Sequence, residues 1–161
     1  MSEISSKLAA LGLALPAAIK LPPGIVLPFS WIRVHGNRAL VSGHVALEAD
    51  GAIAEPLGKV GAEVSLDEGY AAARQTALAI LGSLERELGD LDRITAWLRV
   101  FGMVNAAPGF DRFPLVINGF SDLIIEVFGA ERGGHARSAV GMAGLPFNAP
   151  VEIEAEVEIR A

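Results

Sequence analysis

The 161-residue sequence contains no cysteine. That excludes disulfides, a thiolate nucleophile and a thiolate metal site, and it fits a reducing, cytoplasmic setting. Positive charge is also scarce: 13 Lys and Arg stand against 19 Asp and Glu, giving a net charge of −6. With a pI near 5.0, this argues against a broad basic surface gripping phosphate backbones, so nucleic acid is not an expected partner. Long apolar runs are lacking too. The most apolar region, Leu11 to Ile32, is interrupted by Lys20, Pro16, Pro22, Pro23 and Pro28, and a spanning helix needs about 20 apolar residues with intact backbone bonds. The start, Met1-Ser2-Glu3, lacks the basic lead of a signal peptide. No membrane span is expected.

Familiar catalytic motifs are missing as well. The stretch Gly51 to Lys59 is too long for a phosphate loop, and Val60 stands where a hydroxyl residue is needed. No nucleophile elbow, dinucleotide fingerprint or paired-histidine zinc motif occurs. His35, His44 and His135 are isolated in sequence, so no metal is expected unless the fold gathers them.

What is present is apolar: 52% of residues, with a mean hydropathy of +0.43. That excludes a disordered chain, and the length fits one domain. So large an apolar share also calls for a subunit interface. Ile4, Leu8 and Leu11 predict a short helix over 2–13. An extended proline-rich connection then follows to Pro28. Strands are predicted over 30–35 and 38–46, joined at Gly36-Asn37, a pair that tolerates positive φ. A turn-rich excursion covers 48–57.

Ser65-Leu66-Asp67-Glu68 reads as a capping box opening a helix. Its apolar stripe is Ala73, Ala77, Ile80, Leu81, Leu84 and Leu88, and Gly89 is the stop. A strand is predicted over 93–104, with Ile94, Ala96, Leu98 and Val100 alternating with Thr95, Trp97, Arg99 and Phe101. A second helix begins near Asp111, carries Val116, Phe120, Leu123 and Val127 inward, and ends at Gly129. A strand over 137–143 precedes the closing strand, where Val151, Ile153, Ala155, Val157 and Ile159 alternate with Glu152, Glu154, Glu156 and Glu158. The order is hairpin, helix, strand, helix, hairpin. This predicts an α+β sandwich: a mixed β-sheet with two helices packed on one face and the other face needing a cover.

Two features carry candidate chemistry. Four glutamates on one strand face, about 7 Å apart, would repel if buried, so most must reach water or meet arginines. Arg137 opens a predicted strand after Gly133-Gly134 and His135. Its planar fork suits a carboxylate through two parallel hydrogen bonds.

The run His135-Ala136-Arg137-Ser138, the Leu145-Pro146 turn and the closing Val151-Glu152-Ile153-Glu154-Ala155 resemble the C-terminal pattern of the YjgF/RidA (reactive intermediate imine deaminase) family. Val41-Ser42-Gly43, Gly69-Tyr70-Ala71-Ala72-Ala73-Arg74 and Val116-Ile117-Asn118-Gly119 extend the likeness. It covers about residues 28–160, and leaves residues 1–27 as an N-terminal helix and proline-rich arm beside a domain over 28–161. The segment Asn105 to Phe110 and the N-terminal extension resemble a longer subgroup labelled "putative endoribonuclease L-PSP".

The resemblance implies a chorismate-mutase-like fold, a homotrimer with sites in inter-subunit clefts, and no cofactor. It also implies hydrolysis of enamine/imine intermediates such as 2-aminoacrylate to 2-keto acids and ammonia. By resemblance, Arg137 holds the substrate carboxylate, Glu152 positions the attacking water, and Phe29, Ser42, Gly43 and Asn118 line the site. Phe29 stands where tyrosine is typical, His44 where glutamine is, and Ala139 where cysteine is common. The alternatives are a non-catalytic binder of small carboxylates at the same clefts and an endoribonuclease. The acidic balance and the lack of a basic stripe speak against the last.

Overall fold

The structure, a computed structural model, describes residues 2–160. Its elements run α1 (Glu3–Ala10), β1 (Ile32–His35), β2 (Arg38–His44), α2 (Leu66–Leu88), β3 (Ile94–Asn105), α3 (Phe113–Gly133), β4 (Ala136–Met142) and β5 (Val151–Ile159). The five strands form one mixed sheet in the order β1-β2-β5-β3-β4. Every pairing is antiparallel except β3 with β4, which is parallel across the α3 crossover. The expected closing hairpin therefore does not form. The long strand β3 lies between β4 and β5, because a strand–helix–strand unit returns its second strand parallel to the first.

Helix α2 starts on the anticipated capping box: Glu68 N–H donates to Ser65 Oγ (3.1 Å), and Ser65 N–H donates to Glu68 Oε2 (2.8 Å). It ends on left-handed Gly89 (φ 78°). Helix α3 accepts Pro114 in its first turn, breaks at Gly129 (φ 78°, ψ 165°) and adds one more turn. It is long and apolar enough to cross a membrane by length and composition, but Val116, Ile117, Phe120, Leu123, Ile124 and Val127 are buried in the protein core. At Gly119 the two helices approach so closely that a β-carbon would collide with the Tyr70 carbonyl oxygen.

The alternation of β5 divides the sheet as its sequence implies. Val151, Ile153, Ala155, Val157 and Ile159 are buried under α2 and α3, and the glutamates face away. The phase of β3 differs from the sequence reading. Register shifts flank Ala96 and Trp97, so Trp97 and Val100 both point into the core. Each bulge inserts a residue and resets the two-residue period. Trp97 then packs edge-on against Phe120 and Phe128, each with a ring-centroid distance of 5.7 Å.

The N-terminal segment belongs to this body. Ile4 and Leu8 join the core, while Glu3 N–H and Ile4 N–H donate to the Asp92 carboxylate at 2.7 and 2.9 Å. The proline-rich strap then crosses α2, held by Arg86 Nη1 on Pro16 O (3.2 Å) and by the Lys20–Asp50 ion pair (2.5 Å). Among the described residues no helix or strand covers the sheet face opposite α2 and α3. Leu40 there is 45% exposed, and Arg99 and Glu154 are exposed beside it.

Candidate functional site

The residues singled out in the sequence gather at two separate places. The first is β4 against α3. Arg137 pairs in register with fully buried Val100, so its side chain leaves the sheet on the helix side. There Nη1 donates to Asn118 Oδ1 (2.9 Å) and Ser121 Oγ (3.0 Å), and Nη2 reaches Pro114 O (3.4 Å). Asn118 and Ser121 are one helical turn apart on α3, which presents both to the same guanidinium. Ser121 also hydrogen-bonds His135 Nε2 (2.9 Å), and His135 Nδ1 lies 2.7 Å from Gly133 O. A carbonyl can only accept, so Nδ1 carries the proton, Ser121 O–H donates to Nε2, and Arg137 donates to Ser121. Burial lowers the His135 pKa, which keeps the ring neutral.

Among the described residues Arg137 has no carboxylate at ion-pair distance. Three of its five N–H groups are directed by neutral oxygens, leaving Nε–H and one Nη2 hydrogen undirected. A half-buried, oriented cation with no counter-ion among the described residues has the chemistry to accept a carboxylate. Burial lowers its pKa too, so an anionic partner would be welcome.

The second place lies between β2, β5 and the N-terminal strap. The β2 register shifts between Val41 and His44, turning Ser42 and Gly43 out of the regular ladder. Gly43 leaves room for Glu152, since a β-carbon there would overlap Glu152 Oε1. Glu152, Gly43 and Phe29 line a cavity of about 600 Å³, together with Trp31 and His44. Phe29 is 50% exposed and meets Trp31 edge-on at 5.2 Å. Trp31 in turn lies 5.1 Å from the His44 ring. Ser42 does not line this cavity. Its hydroxyl donates to Ser30 O (2.7 Å), and it faces a shallower groove on the open side of the sheet.

The Glu152 pKa is raised, mainly by burial and further by the Glu154 charge. The other glutamates of β5 are accounted for in part: Glu156 pairs with Arg38 at 2.6 Å, and Glu158 accepts from the Thr95 hydroxyl at 2.6 Å. Glu152 has neither kind of partner among the described residues. His44, in the glutamine position, is buried and its pKa falls to about 4, chiefly through desolvation. Its Nδ1–H donates to Ser42 O (2.6 Å), and Ser83 O–H donates to Nε2 (2.9 Å).

Arg137 and Glu152 do not meet within one chain. Glu152 sits on β5 beside Met103, on the face away from the helices. Arg137 is two strands away, about 10 Å laterally at ordinary strand spacing, with its side chain on the other face. The structure thus joins Arg137 to Asn118, and Glu152 to Gly43 and Phe29, as two separate halves. Sequence reasoning missed Ser121 and His135, although the spacing from Asn118 to Ser121 carried a signal for the first. The segment Asn105 to Pro114 lines the cavity nowhere. It packs on the 58–64 loop, with Val60 N–H donating to Asn105 O (2.8 Å) and Ala107 N–H to Val60 O (3.0 Å).

The chain matches the family model described as "YjgF/chorismate mutase-like, putative endoribonuclease" over residues 5–156, so the match takes in the N-terminal arm. "Protein TCP17" of Trypanosoma cruzi is 40% identical over 157 residues, covering 98% of this chain and 94% of that protein. The protein Atu1372 from Agrobacterium tumefaciens, described as of unknown function, is 41% identical with a TM-score of 0.87, over 98% of this chain and 93% of that one. A "putative endoribonuclease" from Shewanella oneidensis is 29% identical with a TM-score of 0.86, over 97% and 99% of the two chains.

Proposed function

The chain belongs to the YjgF/chorismate mutase-like family, and from that premise we propose that it is a hydrolytic deaminase of reactive 2-imino acids, working as a homotrimer. One observation carries the reading: Arg137 is oriented by Asn118 and Ser121 and has no counter-ion of its own among the described residues. Its natural ligand is a small carboxylate. Because Glu152 lies on the opposite face of the sheet, the site needs Arg137 of one protomer and Glu152 of the next. The uncovered sheet face with Leu40 supports such an assembly.

The chemistry asks for little. An enamine such as 2-aminoacrylate takes a proton at C3 to become the imine, whose C2 is electrophilic. Arg137 fixes the carboxylate, and Glu152 accepts a proton from water as its oxygen bonds to C2. Glu152 passes that proton to the nitrogen of the carbinolamine; as the C–N bond breaks, the hydroxyl gives its own proton back to Glu152 and becomes the C2 carbonyl, and 2-keto acid and ammonia leave. A carboxylate with a raised pKa suits both roles, accepting the proton and returning it. The glutamate-rich β5 and the net charge of −6 disfavour RNA as substrate.

Mixed oligomers test the proposal. Arg137→Ala and Glu152→Gln proteins should each fail to accelerate pyruvate release from freshly generated 2-aminoacrylate. Co-assembled, they should regain activity in about a quarter of the sites of a random mixture. No acceleration by the wild type, with affinity for keto acids retained, would leave a carboxylate binder instead. An active wild type without complementation would place the site inside one protomer.

A further inference from the structure

The cavity that holds Glu152 is much larger than the hydrolysis of 2-aminoacrylate requires. At about 600 Å³ it falls within the range of sites for drug-sized ligands, whereas 2-aminoacrylate brings only a methylene beyond C2. Much of its wall is apolar, with Phe29, Trp31, Ile19 and Leu21 of the strap, Val45 and Leu47, although Arg33, Arg86 and Glu87 line it as well.

The polar groups at the inner end are already engaged with one another. Arg86 Nη2 donates to Ser83 Oγ (3.1 Å), Ser83 to His44 Nε2, and His44 Nδ1–H to Ser42 O. Arg86 Nη1 is held by Pro16 O. The chain closes on a carbonyl and leaves His44 and Ser83 with no unmet donor, so neither offers a hydrogen bond to a polar group entering beside them, while Arg86 keeps free N–H groups at the exposed side. An apolar group beside His44 and Ser83 needs no such partner.

The rim adds a second observation. Phe147 lines the cavity with a left-handed backbone (φ 60°) and is 47% exposed. A bulky residue rarely takes that conformation, and such strain concentrates where a side chain must be presented to a ligand. With Phe29 it gives the mouth two exposed aromatic rings.

Resting on the deaminase reading, we propose that this cavity receives the side chain of a bulky apolar 2-imino acid, so that the protein prefers imines of branched or aromatic amino acids to 2-aminoacrylate. The reaction is unchanged: water adds at C2 and ammonia leaves. The side chain runs inward from Glu152 past Trp31 towards Leu47.

Imines generated in place by an amino acid oxidase from alanine, leucine and phenylalanine test this, with 2-keto acid release as the readout. In an apolar pocket one methylene discriminates roughly 10–200-fold. The phenylalanine imine should therefore exceed the alanine imine in kcat/KM by at least about tenfold. Leu47→Trp, at the inner end, and Ile19→Trp, on the strap and outside the main core, should each collapse that ratio towards one. A wild-type ratio of one or less, or a ratio that survives in both folded variants, overturns the inference and leaves the deaminase reading standing. If no imine is accelerated, the deaminase reading fails instead, and calorimetry judges the cavity alone. Phenylpyruvate should then bind at least about tenfold more tightly than pyruvate, with the advantage lost in Ile19→Trp. Equal binding of the two acids overturns it.

Discussion

Gly43 and Glu152 compete for one volume: a β-carbon at position 43 would stand inside the Glu152 carboxylate. The obstacle is the end of a flexible side chain, so it can swing aside at little cost to the fold. Gly43→Ala should therefore change unfolding free energy by less than about 1 kcal/mol. It should nevertheless cut imine hydrolysis by about 10²-fold, because a misplacement of some 1 Å is enough. Denaturant titration beside a turnover assay checks both halves. An active variant would mean that the Glu152 position is not critical.

Gly119→Ala makes the contrasting case. Here the obstacle is the backbone carbonyl of Tyr70 in the facing helix, which cannot rotate away. The helices must separate, and overpacking of this kind costs about 1–3 kcal/mol. A lower urea midpoint with an unchanged slope is the expected result. Wild-type stability would show that α2 and α3 approach less closely than described.

The Arg137 anchor gives a third expectation. Ser121→Ala removes one of the two oxygens directing Nη1 and breaks the link to His135. Asn118 still holds the other side, so the guanidinium remains but loses its fixed angle. KM for imines should rise by roughly 10–150-fold, matching about 1.5–3 kcal/mol for a hydrogen bond to a charged group, with a smaller effect on kcat. A change confined to kcat would assign Ser121 a different role.

How much of this was legible in the sequence follows from where the determinants lie. The alternation of β5 and the capping box of α2 are local: neighbouring residues fix them, and both appear as expected. Trp97 could not be placed from period alone, because bulges around it reset the count. Nor could β4 be assigned to β3 rather than β5, since strand partners are chosen by the α3 crossover and not by the strands. The resemblance named Arg137 and Glu152 as one site, yet the chain sets them on opposite sheet faces. Ser83 and Arg86 meet His44 only once α2 lies over the β2 bulge, so the closed polar chain of the cavity left no trace in local spacing.

His44 should make stability depend on pH. Burial depresses its pKa from 6.5 to about 4, so the unfolded chain takes up a proton that the folded ring refuses. The contribution is complete above pH 6.5 and is lost as pH falls towards 4, up to ~3 kcal/mol at most. His44→Gln removes the titrating group, so the loss of unfolding free energy between those pH values should be smaller than in the wild type. Identical slopes would mean that the ring protonates freely in the folded protein. His135 contributes in the same direction, so the difference between the two proteins is the diagnostic quantity.

Glu152 runs with the opposite sign. Its pKa is raised by burial and by Glu154, so its protonated form is favoured in the fold and its charged form is penalised. The penalty is absent at low pH and appears as pH rises through the folded pKa. Glu152→Gln should accordingly stabilise the protein more at pH 8 than at pH 4, while abolishing hydrolysis. In the active protein the same ionisation sets the acid limb of kcat/KM, because only the carboxylate can take the proton from water. Glu154→Gln removes the neighbouring charge and lowers the Glu152 pKa, so the acid limb should move to lower pH. Glu154 is exposed and lines the groove rather than the cavity, so the shift should come without loss of maximal rate. An acid limb that stays in place would assign the titration to a group other than Glu152.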